Sequence, residues 1–344
     1  MIKEEQLKKI ATEILKAYGE GETNASLAAD CLVKADLRGI STHGTYLLIP
    51  IFDRIQAGMI SIPTKIDVIK EMGAVTIMDG GNGLGQLAAR RAMEISVEKA
   101  KDFGNAITSV KNTNNISFLG YYTEIASKAG MIGIAASNAA PAIAPWGSRE
   151  AFIGTNPFSI SIPAKNRRTI LLDMSSSLVA RGKIRQASRN KKSIPLNWAL
   201  DTEGNPTTNP EEALKGTLLP IAGPKGSGLA IIIDILAGML SGSKYGTEVK
   251  TFHKLEGETG VGMFCVAINI EYFLNLEEFI SQVDHYIDSV KNLKKVKDVS
   301  EIYLPGEIEF LKEEKAKNEG IELALSTVEK LNDILSQIGS KLRL

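Results

Sequence analysis

The chain has 344 residues, which exceeds the usual size of a single hydrophobic core and favours two packed domains. Its 40 Lys and Arg balance 40 Asp and Glu, and this zero net charge argues against a nucleic-acid partner, because phosphate contacts need an excess of cations. The longest apolar run, residues 228–240, is too short to cross a bilayer and contains Asp234.

Helical periodicity dominates the first seventy residues. Apolar residues recur at three- and four-residue spacing over 7–15, and a second helix is predicted to run from Asn24, a good N-cap, to Leu37. A third helix is predicted over 47–56. The segment 65–79 changes to β-branched residues with a glycine break, which predicts strands.

Strand-like and helical runs alternate from there to about residue 163. Further strands are predicted over 105–110, 132–136, 159–163, 169–174 and 263–270, and helices over 84–101, 121–129 and 321–338. The polar, basic stretch 177–219 is punctuated by proline, and we expect helices and loops packed beside the sheet. The elements together predict an α/β fold with helices contributed by both chain ends.

One glycine-rich loop, DGGNGLGQ, resembles a dinucleotide fingerprint without completing it. Gly83, Gly85 and Ala88 satisfy G-x-G-x-x-A after a predicted strand. A Rossmann site also needs an acidic residue at the end of the second strand, but Asp102, at about the right distance, precedes that strand. We therefore interpret the loop as a tight strand-to-helix turn.

A second glycine-rich segment, GPKGSGLA, is a stronger candidate for binding an anion. It places Lys225 and Gly226 directly before a long apolar helix, where backbone N–H groups attract negative charge and the lysine adds a full positive charge. The alternative is a surface turn with a solvated lysine. Ser175, Ser176 and Ser177 follow a buried-looking strand, and their hydroxyls suit phosphate and ribose, although such serines often cap helices.

Three histidines are candidates for proton transfer, because the pKa of histidine lies near neutrality. His285 lies in a charged amphipathic segment and is expected to be a surface or packing residue, and His253 lies in a loop that favours no role. His43 lies between two predicted helices, bracketed by Gly39 and Gly44, which can place its side chain in a cleft. The alternative is a structural histidine at a helix start.

The sequence lacks the motifs of disulfide-rich proteins, metal sites and serine hydrolases. Cys31 and Cys265 lie in apolar stretches without a CxxC partner, so we expect neither a disulfide framework nor a zinc site, and no cluster has the spacing of metal ligands. The serine-hydrolase motif G-x-S-x-G is absent. The N-terminus lacks the apolar core of a signal peptide, so we expect a cytoplasmic protein with no membrane partner.

The chain resembles the type-2 malate/L-lactate dehydrogenase family over nearly its whole length. That family also includes ureidoglycolate and sulfolactate dehydrogenases, diketogulonate reductase and a cyclic-imine reductase. The resemblance is carried by ADLRGISTHG, DGGNGLGQ, SNAAPAIAPWGSREAFIGTNPFSISIP, LLDMSSSLVARGKI, GNPTTNP, AGPKGSGLA and LPGEIE. It implies an oxidoreductase that transfers hydride between NAD or NADP and a small 2-oxo or 2-hydroxy acid, or a related ketone or alcohol.

The resemblance also implies an architecture. It predicts a non-Rossmann nucleotide-binding domain with a mainly antiparallel sheet, a helical domain built from both termini, and a homodimer with sites near the subunit interface. We assign the helical domain to residues 1–74 with 174–222 and 300–344, and the α/β cofactor-binding domain to 75–173 with 223–299.

Matching positions imply roles for individual residues. His43 matches the histidine assigned as acid–base in part of the family, and Thr42 and Asn115 are expected to orient the substrate by hydrogen bonds. Asn138 and Thr155 are expected beside the nicotinamide or the substrate. The expected cofactor-binding residues are Asp173, Met174, Ser175, Ser176, Ser177, Lys225, Gly226, Pro305, Gly306 and Glu307.

Two positions depart from the family's pattern. The pattern S-H-G-V-x-R-L carries an arginine that can hold a carboxylate in a bidentate grip, and this chain has Leu47 there. The pattern N-S-N-H-F-G carries a histidine that is the acid–base in some members, and this chain has Asn115. The substrate side has therefore changed, which weakens malate or lactate as the substrate. Arg38, Arg54 and Arg149 are the candidates for the missing charge.

Two alternatives to reduction of a ketone or 2-oxo acid follow from the same comparison. The cyclic-imine branch suggests reduction of a C=N bond, which needs less help from an acid because the imine is already protonated. Loss of the arginine and of one histidine also fits a nucleotide-binding protein without catalysis, although retention of His43 argues against it. The sequence does not distinguish NAD from NADP.

Overall fold

The computed structural model describes all 344 residues and contains eleven α-helices. They are α1 (Glu4–Ala17), α2 (Glu22–Leu37), α3 (Leu48–Gln56), α4 (Gly85–Phe103), α5 (Gly120–Lys128), α6 (Arg181–Arg189), α7 (Pro210–Lys215), α8 (Pro224–Asp234), α9 (Leu276–Lys291), α10 (Glu307–Glu319) and α11 (Leu325–Gln337). Short 3-10 turns at Ser41–His43 and Thr45–Leu47 join α2 to α3. No helix has both the length and the apolar character needed to cross a bilayer.

Seven of the nine strands form one mixed sheet. The strands are β1 (Asp67–Met72), β2 (Val75–Asp79), β3 (Asn105–Thr113), β4 (Met131–Ser137), β5 (Phe158–Ile162), β6 (Ile170–Met174), β7 (Ala199–Leu200), β8 (Thr217–Leu218) and β9 (Val261–Asn269). The order across the large sheet is β1-β2-β3-β9-β4-β5-β6, and only β2 and β3 are parallel. The predicted α/β fold with a mainly antiparallel sheet is confirmed.

The helices α4 and α5 pack on the sheet and fix the loop between β3 and α5. Small and apolar residues allow close packing of these two helices on the strands. The main cluster includes Ala88, Ala92, Met93, Tyr122 and Ala126 from the helices, with Val110, Ala135 and Cys265 from the sheet. Because both ends of the loop 114–119 are anchored in this core, the loop has a defined position next to the α2–α3 connection.

Helices from both ends of the chain share a second hydrophobic cluster. Ile14 of α1, Leu32 of α2, Ile51 of α3 and Leu335 of α11 are all buried in it. Their apolar residues face the cluster at helical spacing, as the sequence pattern predicts. The cluster supports the expected helical domain built from both termini.

Residues 174–222 contribute to a third hydrophobic cluster. Residues 174–222, assigned with the terminal helices, pack elsewhere: Val179 and Ile184 share a cluster with Ile143 and Ile153, and no residue of α1 or α11 belongs to it. The segment follows β6 directly and has its own two-stranded sheet, β7–β8, so it packs against the chain after β4.

Two local predictions also differ from the structure. The boundary at 74/75 cuts a hairpin, because β1 pairs with β2 from Asp67 opposite Asp79 onward. The N-cap of α2 is Gly21, whose extended backbone lets the helix start early, and Asn24 lies inside the first turn. The other predicted helices and strands match the observed elements to within a few residues.

Candidate active site

The turn that carries His43 is fixed by a buried carboxylate beneath it. After α2 the chain reverses through Gly39, whose φ of +71° suits glycine. The Thr45 amide and hydroxyl then donate to Asp36 Oδ2, at 2.8 and 2.6 Å. A Cβ at Gly44 would overlap Asp36 Oδ1, so the turn closes over the carboxylate only with glycine there.

His43 is half-buried and held from two sides. Its Nδ1 is hydrogen-bonded to the Thr42 hydroxyl at 2.9 Å, which leaves Nε2 without a partner in the chain. The Ser117 hydroxyl donates to the His43 carbonyl at 2.6 Å, and the Ser117 amide donates to Asn115 Oδ1 at 2.9 Å. The structure therefore places Asn115 on the loop that contacts the turn of Thr42 and His43.

Burial keeps the His43 imidazole neutral. Removal from water, together with positive charge at His253, lowers the pKa of His43 to about 4. Burial also raises the pKa of Asp36 to about 6, against the hydrogen bonds from Thr45, and Asp36 Oδ1 has no partner. At neutral pH the free protein therefore offers a proton acceptor at His43.

The loop that contacts His43 leads directly to Asp173. Three residues after Ser117, the Gly120 amide at the start of α5 donates to Asp173 Oδ2 at 2.7 Å. Three residues of chain span at most about 11 Å, so the His43 turn and Asp173 lie on either side of one short loop. Burial raises the pKa of Asp173 to about 6.

Other predicted cofactor residues gather around β6. The Leu171 amide donates to the Pro305 carbonyl at 3.0 Å, which brings the turn before α10 beside the strand. The Ser176 amide donates to the Thr155 carbonyl at 2.7 Å, and the Ile221 amide donates to the Ser176 carbonyl at 2.9 Å. The end of β6 thus adjoins both the Thr155 segment and the approach to α8.

Lys225 and Ser175 are exposed or half-exposed at this edge, and the Ser175 hydroxyl is hydrogen-bonded to that of Ser177 at 3.0 Å. Lys225 is exposed at the start of α8, and Ser175 is half-exposed. Gly226 packs so closely on the Ile221 carbonyl that a Cβ would overlap it, whereas Gly228 faces open space. A hydroxyl, an ammonium and a helix N-terminus suit the ribose and phosphates of a nucleotide.

Asn138 is buried, and its amide is hydrogen-bonded inside the protein. It is 2% exposed, and its Nδ2 donates to Asp234 Oδ1 and to the Lys244 carbonyl, at 3.1 and 2.8 Å. Its Oδ1 accepts from the Gly262 amide at 2.9 Å. These contacts occupy both the donor and the acceptor atoms of the Asn138 amide with partners inside the protein.

Three expected cofactor side chains are likewise turned inward. The Ser176 and Ser177 hydroxyls are buried and donate to backbone carbonyls at 2.7 and 2.9 Å. Glu307 pairs with Lys291 at 2.6 Å and accepts from a backbone amide, so it fixes the turn before α10. Gly306, with φ of +84°, packs against β6 without a side chain. Only the backbone of these residues is left for a ligand.

None of the three candidate arginines is free to replace the one missing at Leu47. Leu47 itself is 1% exposed, in the cluster of the terminal helices. Arg38 is buried between two glutamates, and Arg54 donates to two backbone carbonyls of the loop 254–257. Arg149 is exposed and paired with a glutamate.

Sequence reasoning missed Asp36 and Ser117 and left His253 and Arg185 without a role. Asp36 had a local signal, since it precedes the glycine-rich turn by a few residues. The contact of Ser117 depends on its φ of +63°, which no pattern records. Arg185 and His253 lie about 140 and 210 residues after His43 in the sequence, and only the tertiary fold brings their segments to the turn that carries it.

Comparison with known proteins identifies the class. A family model described as Malate/L-lactate dehydrogenase matches residues 2–332. The L-sulfolactate dehydrogenase of Methanocaldococcus jannaschii is 38% identical over 98% of this chain and 97% of that protein. The Malate/(S)-sulfolactate dehydrogenase of Methanothermus fervidus is 37% identical over 99% of each, and the Ureidoglycolate dehydrogenase (NAD(+)) of Escherichia coli (strain K12) is 30% identical over 94% and 92%.

The solved structure of the sulfolactate dehydrogenase from Methanocaldococcus jannaschii matches with a TM-score of 0.94, covering 99% of this chain and 98% of that chain. Fold and sequence together define a dehydrogenase acting on small hydroxy acids. The chain belongs to the malate/L-lactate dehydrogenase family, which confirms the resemblance carried by its motifs. This membership implies a nicotinamide cofactor and argues against the alternative without catalysis.

Proposed function

We propose that this protein is an NAD- or NADP-dependent dehydrogenase that interconverts a small 2-hydroxy acid and its 2-oxo acid, with His43 exchanging the proton. The observation that carries the proposal is the loop 114–120. Its residue Ser117 contacts the His43 turn, and its residue Gly120 contacts Asp173. A shared loop supports a common cleft for the acid–base group and the cofactor-binding residues.

The residues around the end of β6 fit a nicotinamide dinucleotide. Lys225 beside the N-terminus of α8 suits a phosphate, and the Ser175 hydroxyl and Asp173 carboxyl suit ribose hydroxyls. The name of the ureidoglycolate dehydrogenase relative specifies NAD. When bound, the cofactor supplies or accepts the hydride.

His43 and its neighbours would handle the proton and orient the substrate. In oxidation of the alcohol, the neutral imidazole accepts the hydroxyl proton at Nε2, because Nδ1 is engaged by Thr42. Asn115 Nδ2 has no partner in the chain and can donate a hydrogen bond to the same substrate oxygen. Reduction needs the imidazolium, which burial of the free enzyme opposes.

The pH dependence of kcat/KM tests the state of His43. Because the pKa of His43 is about 4, kcat/KM for oxidation should rise with pH through this value and then stay level across neutrality. In reduction, kcat/KM should fall up to about tenfold per pH unit above the same pKa. Initial rates measured in both directions from acid to mildly alkaline pH check this, and a reduction profile that stays level to pH ~6.5 contradicts it.

A substrate panel tests the function itself. Oxidation of NADH and of NADPH is measured with 2-oxo acids, uncharged ketones and cyclic imines, and we expect turnover of 2-oxo acids. Turnover of imines alone would favour the second candidate, a C=N reductase. The neutral His43 fits this reaction, because a protonated imine brings its own proton. No oxidation of either nucleotide with any class overturns the proposal.

A homodimer is also proposed, and an exposed apolar helix face supports it. Ile231, Ile235 and Met239 recur at four-residue spacing, with Ile232 and Leu240 beside them, and all five are 39–59% exposed. A contiguous apolar face of this kind is typical of a subunit interface. Sedimentation should give twice the chain mass of 37.1 kDa, and Ile232→Lys should give the monomer. A wild-type monomer at micromolar concentration would contradict this interface.

A further inference from the structure

The chain carries a run of positive charge without acidic partners in and after α6. Residues 174–200 contain no Asp or Glu, and none of the six cations in this run makes an ion pair. The six are Arg181, Lys183, Arg185, Arg189, Lys191 and Lys192. Unpaired like charges repel one another, so this arrangement is more favourable when an anion is bound.

The packing of α6 turns one side of this run towards His43. Ile184 is fully buried in the third hydrophobic cluster, which fixes the rotation of the helix. A Cβ at Gly182 would lie 3.3 Å from Thr42 Cγ2, so the start of α6 contacts the turn that carries His43. Arg185 follows Gly182 by three residues and therefore lies on the same face of the helix.

His253 approaches the same place from another loop. Its ring centroid lies 6.4 Å from that of Tyr46, three residues after His43. Burial and the charge of Arg185 both lower the pKa of His253, and positive charge at His253 contributes to the lowered pKa of His43. The His253 loop and the start of α6 thus both reach the turn that carries His43. The titratable group beneath this turn, the Asp36 carboxyl, is buried.

We propose that Arg185, with His253 as a second donor, binds the carboxylate of the substrate beside His43. The inference rests on the proposed function and names a specificity-determining residue for it. A guanidinium can hold a carboxylate through two parallel N–H···O bonds, which also fixes the direction of the substrate. Leu47 cannot do this, because it is buried among apolar residues.

Carboxylate binding at this place has a consequence for the proton step. A negative charge next to His43 favours the imidazolium, so it raises the pKa of His43 from its value in the free protein. An anionic substrate would thereby help to form the proton donor that its own reduction needs. An uncharged ketone brings no such charge, and we expect the site to discriminate against it.

Steady-state kinetics of Arg185→Gln test the proposal. Loss of charge-assisted hydrogen bonds should raise KM for a 2-oxo acid about 10- to 100-fold, with a smaller effect on kcat. Arg185→Lys should recover part of the loss, and the KM for an uncharged ketone should not change. The matched control is Arg189→Gln, which removes the same charge about 6 Å further along the helix axis and should leave KM unchanged.

Binding of oxalate separates this proposal from the proposed function. Oxalate resembles a 2-oxo acid and does not react, so calorimetry with NADH present measures the anion site without turnover. We expect Arg185→Gln to bind it at least tenfold more weakly than wild type and Arg189→Gln to bind it normally. Equal affinity in all three proteins, or no binding to wild type, overturns the anion site. If instead the wild type oxidises no NAD(P)H but shows the expected oxalate pattern, the proposed function fails and the anion site stands.

Discussion

The His43→Ala variant is expected to lose about 100- to 10,000-fold in kcat, the usual contribution of a positioned acid–base group. His43 Nε2 has no partner in the chain, and its Nδ1 and carbonyl are held by Thr42 and Ser117. These contacts fix the orientation of the ring. The turn itself does not depend on the ring, because Asp36 and Gly44 fix the turn independently. Turnover of a 2-hydroxy acid measures the loss of kcat, and a titration with NADH measures the affinity for the cofactor.

Affinity for NADH should change little, because the expected cofactor residues lie beyond the loop 114–120. His285→Ala is the matched control, since His285 is exposed on α9 and should keep full activity. Asn115→Asp tests the proposed hydrogen bond from Asn115 to the substrate, because an oxygen replaces the free Nδ2 that would donate it. Wild-type kcat in His43→Ala would remove His43 from the reaction.

The Arg38→Ala variant is expected to lose about 3–5 kcal/mol of unfolding free energy, the usual cost of breaking a buried ion pair by removing one partner. Arg38 is 1% exposed and donates to Glu313 at 2.9 Å and to Glu124 at 2.7 Å. It also lies 4.7 Å from the ring centroid of Phe310. One side chain thus joins α2 to α5 and α10, and its loss leaves two glutamates short of a partner.

Urea unfolding followed by circular dichroism measures this effect. Arg149→Ala is the matched control, because its pair with Glu203 is 3.4 Å long and more than half exposed, and such pairs contribute about 0–1 kcal/mol. The turn of His43 begins one residue after Arg38, so Arg38→Ala should also lower activity at temperatures where it stays folded. A loss no larger than that of Arg149→Ala would show that the buried network contributes no net stability.

Local pattern was sufficient for most elements of this fold. Periodicity located the terminal helices and α4, and alternating β-branched residues located β3, β4 and β9, because these signals come from burial of one face. Strand order could not follow from such patterns. β9 lies between β3 and β4 although more than a hundred residues separate it from both, and no local property of residues 261–269 encodes that neighbour choice.

In the candidate site, too, some residues have a local sequence signal and others depend on the tertiary structure. His43 was recognisable because glycines bracket it, and Lys225 because it precedes an apolar helix. The internal contacts of Asn138 could not be predicted, since its sequence neighbours are the same whether its amide faces a cleft or Gly262. The proposed roles of Arg185 and His253 depend on the rotation of α6 and on the position of a loop about 210 residues further along the chain. Their roles therefore needed the tertiary structure.

The central place of β9 has a consequence for how the chain is made. About 130 residues separate the end of β4 from the end of β9. At about 5–20 residues per second, a ribosome takes roughly 7–26 s to supply the missing strand. Throughout that interval β3 and β4 each present an unpaired backbone edge, with apolar side chains beside it, to other nascent chains. The yield of active enzyme in a crowded cell will therefore depend on protecting those two edges until Asn269 has left the ribosome.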